Sequence, residues 1–493
     1  MLAESFSPTH LLAVLPEILL VAVAAIVIIA DLAQRQIAKG QVGLAMLEAR
    51  RRNVGLAAAL GFLVVLIVSL LVTLPTVGNG LIFGGMLRHD LMAFIFRVLF
   101  LFSGLVVALI SMDAPTIGKQ GEYYVVLVAA VLGMNLMAAS ADLIMLYLAV
   151  ETTSIALYAL AGFLREDSKS AESGLKYFLF GAFTSTIMLY GFSLLYGFTG
   201  QTNLYAIGEA LGSLPSTAVL FALFLILVGL GFKISAVPFH FWAPDVYEGA
   251  PTPITAFLSV ASKAAGFAVL IRVLMAAFPE QAPIWVQLMA ALSAVTMTVG
   301  NLIALTQKNI KRLLAYSSIA QAGYILMGLA AFSGEGTAAT LFYLGMYTLT
   351  NLAAFGAIVM VARISGSDEI ADFSGLSRRA PGLALVLLVA FLSLGGIPPL
   401  AGFFGKFYLF TATLNQGLVW LAVVGFINAL LSLYYYLVVL KVIYLNAPKD
   451  EASYPVSRSA AVALWLCVMG VIVVGVLIGP WVNIAVAAAS GLF

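Results

Sequence analysis

Five ionisable residues stand inside long apolar stretches of this sequence, and their types limit the chemistry that they could perform. The five are Glu151, Lys176, Lys233, Lys263 and Lys406. A charged side chain at the centre of a bilayer costs about 2.5–3.5 kcal/mol. Burial lowers the proton affinity of a lysine, and a neighbouring carboxylate raises it again. Such a lysine can bind and release a proton near neutral pH, whereas an arginine would stay charged.

Each candidate also has a structural interpretation, and these alternatives stay open at this point. Lys233 and Lys263 could belong to structural ion pairs, with Glu151 as a counter-ion. Lys406 follows a helix break and could cap freed carbonyl groups. Lys176 lies near the start of its apolar stretch and could extend its ammonium group to the membrane surface.

Further polar residues indicate mainly structural roles. His240 follows a proline and is either a site residue or a polar residue that lines a helix break. Glu17 indicates a helix start or a subunit contact, and Arg97 and Asp142 indicate span ends or local pairs. The run Tyr434–Tyr436 is typical of membrane packing or an aromatic belt.

The composition excludes an ordinary soluble protein. Hydrophobic residues make up 63% of the 493 positions and charged residues only 9%, whereas soluble domains are about 25% charged. With Cys467 as the single cysteine and three histidines, the sequence offers no disulfide framework and no haem or iron–sulfur ligand set. It contains no P-loop, dinucleotide fingerprint or HExxH motif, and no basic run that indicates nucleic acid.

Recurring apolar stretches predict an all-α polytopic membrane protein with about fourteen transmembrane helices. The predicted spans are 11–30, 54–74, 91–112, 121–139, 141–163, 174–198, 217–242, 251–277, 284–306, 311–331, 337–362, 382–413, 417–444 and 460–488.

The basic residues predict the orientation of these spans. Alternate loops on one side hold Arg35, Lys39, Arg50, Arg51, Arg52, Lys119, Arg165, Lys169, Lys308, Lys311, Arg312, Arg363, Arg378, Arg379, Lys449 and Arg458. The opposite loops hold Arg88 and few others, so the positive-inside rule places the first side in the cytoplasm and both termini outside. A cysteine at Gly40 should therefore be labelled from the cytoplasm, and one at Gly80 from outside.

Two spans contain helix-breaking residues. Pro238 interrupts the seventh, and paired glycines and prolines interrupt the twelfth at Gly395–Pro399. Together with a second pair of similar segments at the same offset, they predict two five-helix repeats in opposite orientations, as in many transporters. We divide the chain into an N-terminal segment, two repeats and a C-terminal span, at 1–120, 121–280, 281–445 and 446–493.

Several segments resemble one known family. GLGFKISAVPFHFWAPDVYEGAPTPITAFLSVASKAAGF (Gly229–Phe267) is similar to the central signature of the antiporter-like membrane-arm subunits of respiratory complex I, and in particular of the N-type subunit and its cyanobacterial and plastid B-type relatives. VETTSIALYALAGF, NLIALTQKNIKRLLAYSSIAQAGY and LSLGGIPPLAGFFGKFYLF extend the resemblance over residues 140–445.

The resemblance implies roles for the charged residues. Glu151 and Lys233 would be the interacting pair of the first half-channel, Lys263 the relay toward the centre, and Lys406 the terminal lysine of the second half-channel. Lys176 would be a further member of the hydrophilic axis, and His240 would belong to the segment after the break in the seventh helix.

The resemblance also implies a function, partners and a location. The expected function is proton translocation as a subunit of a NADH:quinone oxidoreductase, with no cofactor in this chain. Quinone, FMN and iron–sulfur clusters would belong to partner subunits of the membrane arm and the peripheral redox arm. The expected location is the bacterial inner membrane, or a thylakoid-type membrane in a photosynthetic relative.

Two other functions stay open on the sequence. One is a stand-alone or multi-subunit cation/proton antiporter with the same fold, and the other is a structural spacer subunit with an inactive channel. The sequence leaves the electron donor, NADH or ferredoxin, undetermined.

Overall fold

The computed structural model describes residues 8–38, 44–75, 80–114, 116–212, 216–448 and 454–492. Its elements are Pro8–Ala13 (α1), Leu15–Ala38 (α2), Leu44–Val72 (α3), Leu81–Ile82 (β1), Leu87–Arg88 (β2), Leu91–Ser111 (α4), Gly121–Ala139 (α5), Leu143–Ala161 (α6), Ser168–Thr199 (α7), Leu204–Leu211 (α8), Ser216–Ile234 (α9), Trp242–Gly249 (α10), Thr252–Phe257 (α11), Lys263–Ala277 (α12), Ala282–Ala304 (α13), Ile310–Ala330 (α14), Gly334–Ser365 (α15), Leu376–Arg379 (α16), Pro381–Gly395 (α17), Ala401–Asn415 (α18), Val419–Tyr444 (α19), Arg458–Val476 (α20) and Ile478–Ser490 (α21). A π-helical turn, Leu258–Ser262, joins α11 to α12, and a 3₁₀ turn covers Ile370–Phe373.

The polytopic helical fold predicted from hydropathy is confirmed. Thirteen helices in the described part of the chain are long and apolar enough to cross a membrane. The predicted twelfth span is divided between α17 and α18, which completes the expected set of about fourteen. The predicted fourteenth span is also divided, at Leu477, into α20 and α21. Gly40, Lys39 and Lys449, which entered the orientation argument, lie outside the described residues.

Helix ends follow from local sequence signals. Asp142 accepts hydrogen bonds from the amides of Ile144 and Met145, so it is the N-cap of α6, as its span-end assignment predicted. Asn309 caps α14 in the same way. Gly200 and Gly366 end α7 and α15 with positive φ angles of 65°, a conformation that costs glycine little.

The chain forms two compact units, which are described separately. The first consists of Met1–Phe232 and Ala264–Gln281, and the second of Lys233–Lys263 and Ala282–Gly491. The predicted inversion of two five-helix repeats, and the boundaries drawn from it, stay predictions.

In the first unit, α2, α3, α4 and α5 pack against one another, and α6 packs on α5 and α7. Arg97 and Glu17 form a buried ion pair of 3.0 Å. Arg97 also donates to Thr73 Oγ1 at 3.3 Å and to the carbonyl of Ala13 at 3.2 Å. The assignment of Arg97 to a local pair is thereby confirmed, and Glu17, in the first turn of α2, is its partner.

In the second unit, α14 and α15 form the centre. α14 packs on α10, α13 and α18, and α15 packs on α11, α17, α18, α20 and α21. Nearly all side chains of α14 and most of those of α15 are buried. Lys311 and Arg312, predicted at the edge of a cytoplasmic loop, instead lie in the first turn of α14.

Candidate functional site

Lys406 lies in the helix that follows the second break. α17 ends at Gly395, Gly396 has a φ of 84°, and α18 begins at Ala401. The break leaves carbonyl groups near the C-terminus of α17 free, and the negative end of the helix dipole is there. Lys406 Nζ donates to Leu394 O at 2.8 Å, so the capping interpretation of this lysine matches the observed contact.

The remaining contacts of Lys406 are with neutral groups. Its Nζ lies 3.5 Å from Ser432 Oγ and 4.8 Å from the centre of the Tyr324 ring. The residue is only 4% exposed. A buried amine that faces neutral oxygens and a π-face can be held as ammonium or as free amine, which a proton carrier requires.

Lys263 is held in a similar way. It is 1% exposed, and its Nζ donates to the carbonyl oxygen of Ser318 at 2.8 Å and to its hydroxyl at 2.6 Å. The π-helical turn Leu258–Ser262 directly precedes it. A π turn inserts one residue into the helical repeat and is frequent at functional sites. The sequence analysis gave no indication of this turn.

Lys233 lies one residue before the end of α9 and is buried. The segment between α9 and α10 contains Pro238, so the predicted break in the seventh span is confirmed. His240, in the same segment, is buried with its ring centre 4.4 Å from that of Phe241. Lys233, in the last turn of α9, and His240, between α9 and α10, therefore lie on the two sides of Pro238. Glu151 belongs to the other unit, and its pairing with Lys233 stays a prediction.

Glu151 and Lys176 lie on neighbouring helices of the first unit. Glu151 is half-buried in α6 and accepts a hydrogen bond from the hydroxyl of Ser185 in α7. Lys176 forms an ion pair of 2.7 Å with Glu172, one turn earlier on α7, and its side chain is 37% exposed. This contact favours the interpretation of Lys176 as a residue that reaches the surface.

Comparison with known proteins identifies the family. Residues 140–432 match the family model described as NADH:quinone oxidoreductase/Mrp antiporter, TM. The chain belongs to this family. The matched range includes Glu151, Lys176, Lys233, His240, Lys263 and Lys406.

The NADH-quinone oxidoreductase subunit N of Desulfitobacterium hafniense is 45% identical to this family member over 435 residues, which are 84% of this chain and 88% of the relative. The NAD(P)H-quinone oxidoreductase subunit 2 of Prochlorococcus marinus is 43% identical over 83% of this chain and 81% of its own. A chain of respiratory complex I from Thermus thermophilus superposes with a TM-score of 0.76, at 34% identity, over 94% of this chain and 98% of that one.

The structure also shows a buried cation that the sequence analysis of this family member missed. Arg272 lies within α12 and makes a bidentate ion pair with Asp90, the N-cap of α4. It also donates to the carbonyl of Ala138 at 3.0 Å. The count of five ionisable residues inside spans was therefore too low, and a scan of the eighth predicted span for any basic residue would have found Arg272.

The pair with Arg272 determines the charge state of Asp90. Burial by itself would raise the pKa of this carboxyl group, but the Arg272 guanidinium and the hydrogen bonds to it lower the pKa below its usual range. Asp90 therefore stays ionised, and the pair is a fixed structural one.

Proposed function

We propose that this chain is a proton-translocating membrane subunit of a NADH:quinone oxidoreductase of the complex I type. The observation that carries the proposal is the presence of two buried lysines, Lys263 and Lys406, held by neutral oxygens within the family-matched part of the chain. The identity of 45% to an N-type subunit over most of both chains supports the assignment to that complex.

In this proposal the chain carries protons and performs no redox chemistry. Quinone reduction elsewhere in the complex changes the protonation of Glu151 and Lys233, and the change passes through Lys263 to Lys406. FMN, iron–sulfur clusters and quinone belong to partner subunits of the membrane and peripheral arms. The complex lies in the bacterial inner membrane, with both termini of this chain outside.

The two rival functions predict different results from this proposal. One predicts different partner subunits, and the other predicts a different effect of point substitutions. A stand-alone antiporter would purify without redox subunits, and a spacer subunit would tolerate loss of its buried lysines. Isolation of the native assembly, with identification of its subunits and of its electron donor, separates the first rival from the proposal.

Point variants separate the second rival. We expect Lys233→Ala and Lys406→Ala to lower proton uptake by sealed membrane vesicles while the complex still assembles. Glu151→Gln should also lower uptake, because Lys233 loses its proposed counter-ion. Lys233→Arg should not restore it, since guanidinium does not release its proton in a working cycle.

Exposed Lys441, in the last turn of α19, provides a matched control. Lys441→Ala removes a lysine from the same protein without touching a buried site and should leave uptake unchanged. Normal uptake by Lys233→Ala and Lys406→Ala, at normal abundance of the complex, would show that these lysines are structural.

A further inference from the structure

Three buried polar side chains lie between Lys263 and Lys406 in the second unit. They are Ser317 and Gln321 of α14 and Tyr436 of α19, and we call them the polar bridge. All three are buried. Burial of a polar side chain in apolar surroundings is unfavourable unless its hydrogen bonds are made, so their partners define what this group can do.

At one end, the polar bridge shares a hydrogen-bond acceptor with Lys406. The carbonyl oxygen of Leu394 accepts from Lys406 Nζ at 2.8 Å and from Gln321 Nε2 at 3.4 Å. The second distance is at the long limit for a hydrogen bond. Gln321 is therefore the weaker donor while Lys406 is close to this oxygen.

In the middle, the side-chain NH₂ group of Gln321 lies near two acceptors, Leu394 O and Tyr436 Oη. Its Nε2 also lies 3.4 Å from Tyr436 Oη, while its Oε1 accepts the hydroxyl of Tyr343. The bond from Tyr343 fixes which side of the amide points toward Leu394 and Tyr436. Small movements of one NH₂ group can therefore strengthen either of its two long bonds at the expense of the other.

At the other end, the polar bridge terminates at Ser317, which directly precedes Ser318, the residue that binds Lys263. The hydroxyls of Tyr436 and Ser317 are hydrogen-bonded, and either can be the donor. Ser318, the next residue of α14, provides both oxygens that hold Lys263 Nζ. The ring of Tyr436 stacks on Phe391 with centres 5.6 Å apart, which fixes the ring while its hydroxyl hydrogen can turn.

From this arrangement we propose that Tyr436, positioned by Gln321, couples the protonation of Lys406 to that of Lys263; the inference rests on the proposed function. When Lys406 loses its proton, it donates less strongly to Leu394 O, and Gln321 takes this acceptor. Tyr436 then loses the bond from Gln321, which alters its remaining bond with Ser317, and Ser317 directly precedes Ser318, the residue of α14 that holds Lys263. The phenol keeps one hydrogen throughout, so no proton is gained or lost by the bridge.

This role differs from packing in a way that one substitution can measure. Tyr436→Phe keeps the ring and its stacking on Phe391 and removes only the hydroxyl. If Tyr436 serves packing alone, the phenylalanine replaces it with little effect on transport. Tyr434 lies two residues earlier on α19 and is 63% exposed, so Tyr434→Phe is a matched control for the loss of a hydroxyl group.

The experiment uses the intact complex in sealed vesicles. We measure protons moved per electron pair, the dependence of this ratio on pH, quinone reduction in uncoupled membranes, and the abundance of the complex. For Tyr436→Phe we expect a lower ratio and a changed pH dependence, with uncoupled quinone reduction and abundance retained. Tyr434→Phe should match the unaltered protein. A ratio and pH dependence for Tyr436→Phe equal to those of Tyr434→Phe would overturn the inference.

Two further sets of variants make every result decisive. Lys263→Ala and Lys406→Ala are measured in parallel, and normal pumping by both would contradict the proposed function. If these two variants lose pumping while Tyr436→Phe retains it, only the inference about Tyr436 is contradicted. If Tyr436→Phe does not assemble, Ser317→Ala removes the other hydroxyl of the same hydrogen bond from a small side chain. A lower proton ratio then supports the inference, and an unchanged ratio overturns it.

Discussion

Arg272 and Lys406 are both almost fully buried basic residues, and they are stabilised by different kinds of partner. Arg272 has the carboxylate of Asp90, which keeps both groups charged. Lys406 has carbonyl and hydroxyl oxygens and an aromatic ring, none of which carries a charge. A fixed ion pair suits structure, while a lysine with neutral partners can change its charge without leaving a buried carboxylate uncompensated.

Removal of Arg272 should destabilise the subunit. Arg272→Met removes the bidentate partner of buried Asp90 and leaves it only the longer ion pair of 3.4 Å with Arg88. Complete loss of one member of a buried pair costs about 3–5 kcal/mol, which is the upper limit for this variant. We expect a lower midpoint of thermal unfolding for the purified complex, or lower abundance in the membrane. The double variant Asp90→Asn/Arg272→Met should recover part of the loss, and a double variant no more stable than Arg272→Met would contradict this explanation.

The same pair predicts a pH dependence. Because the pKa of Asp90 is lower in the folded protein than its ordinary value of 3.8, the pair stabilises the fold fully above that value and progressively less as the pH falls through the folded-state pKa. In Arg272→Met, burial of Asp90 is no longer offset by Arg272 and raises its pKa, so the difference in stability between the two proteins should be largest at neutral pH and shrink as the pH falls through this raised pKa. Unfolding curves measured from pH 7 downward test this, and a difference that grows in acid would contradict it.

At the scale of elements, irregular backbone accompanies each of three lysines. Lys233 lies at the end of α9 before a break, Lys263 follows a π turn, and Lys406 follows the break between α17 and α18. Irregular backbone is tolerated at membrane depth where protein groups or water satisfy the freed polar atoms. At the second break Lys406 itself satisfies a freed polar atom, since its Nζ donates to the carbonyl oxygen of Leu394 in the broken helix.

The contact between the two halves of the broken helix depends on glycine. A Cβ at Gly402 would overlap the carbonyl oxygen of Ser393, whereas a Cβ at Gly382, in the first turn of α17, would meet nothing within 4 Å. We expect Gly402→Ala to displace α18 with Lys406, to destabilise the fold by about 1–3 kcal/mol and to lower proton uptake. Gly382→Ala is the control. Equal thermal stability and proton uptake for the two variants would show that the close contact between Gly402 and Ser393 is unimportant.

Charged residues at the start of α14 hold the short helix α10. Arg312 donates to Asp245 and to Glu248, each at 2.9 Å, and Lys311 Nζ binds the carbonyl of Ala250 at 3.1 Å. The ion pairs of Arg312 are partly exposed, so each contributes only about 0.2–1 kcal/mol. Their role is to fix the segment that follows the first break.

Loss of Arg312 should therefore loosen α10 without unfolding the protein. For Arg312→Ala we expect faster hydrogen exchange in Trp242–Gly249, by about fivefold for a loss of 1 kcal/mol, and little change in peptides of α13. Exposed Lys308 lies close in sequence, and Lys308→Ala is the control. Equal exchange of α10 in the two variants would mean that Arg312 does not hold it.

For the whole molecule, the sequence was sufficient to predict those features that depend mainly on one physical property. Hydropathy over windows of about 20 residues predicted the spans, and proline and glycine predicted both breaks. The π turn was missed because LSVAS contains neither residue and its hydrogen bonds depend on packing. The partners Arg272 and Asp90 are 182 residues apart, so their pairing required the fold. The sequence leaves the run Tyr434–Tyr436 between packing and an aromatic belt, because it does not show that the first ring is exposed and that the third is hydrogen-bonded.

Membrane orientation is the property of the whole molecule that charge segregation predicts, and two exposed residues provide a test. Glu166 lies between α6 and α7, after the fifth span, and Gln416 lies between α18 and α19, after the twelfth. An odd number of spans separates them, so they should face opposite sides, with Glu166 in the cytoplasm. Cys467 is the single cysteine of the sequence and is buried, so the unaltered protein should stay unlabelled by a membrane-impermeant thiol reagent and serves as the control. We expect Glu166→Cys to be labelled only in inside-out vesicles and Gln416→Cys only in right-side-out vesicles. The opposite result would reverse the orientation, and labelling of both from one side would show that the number of spans between them is even.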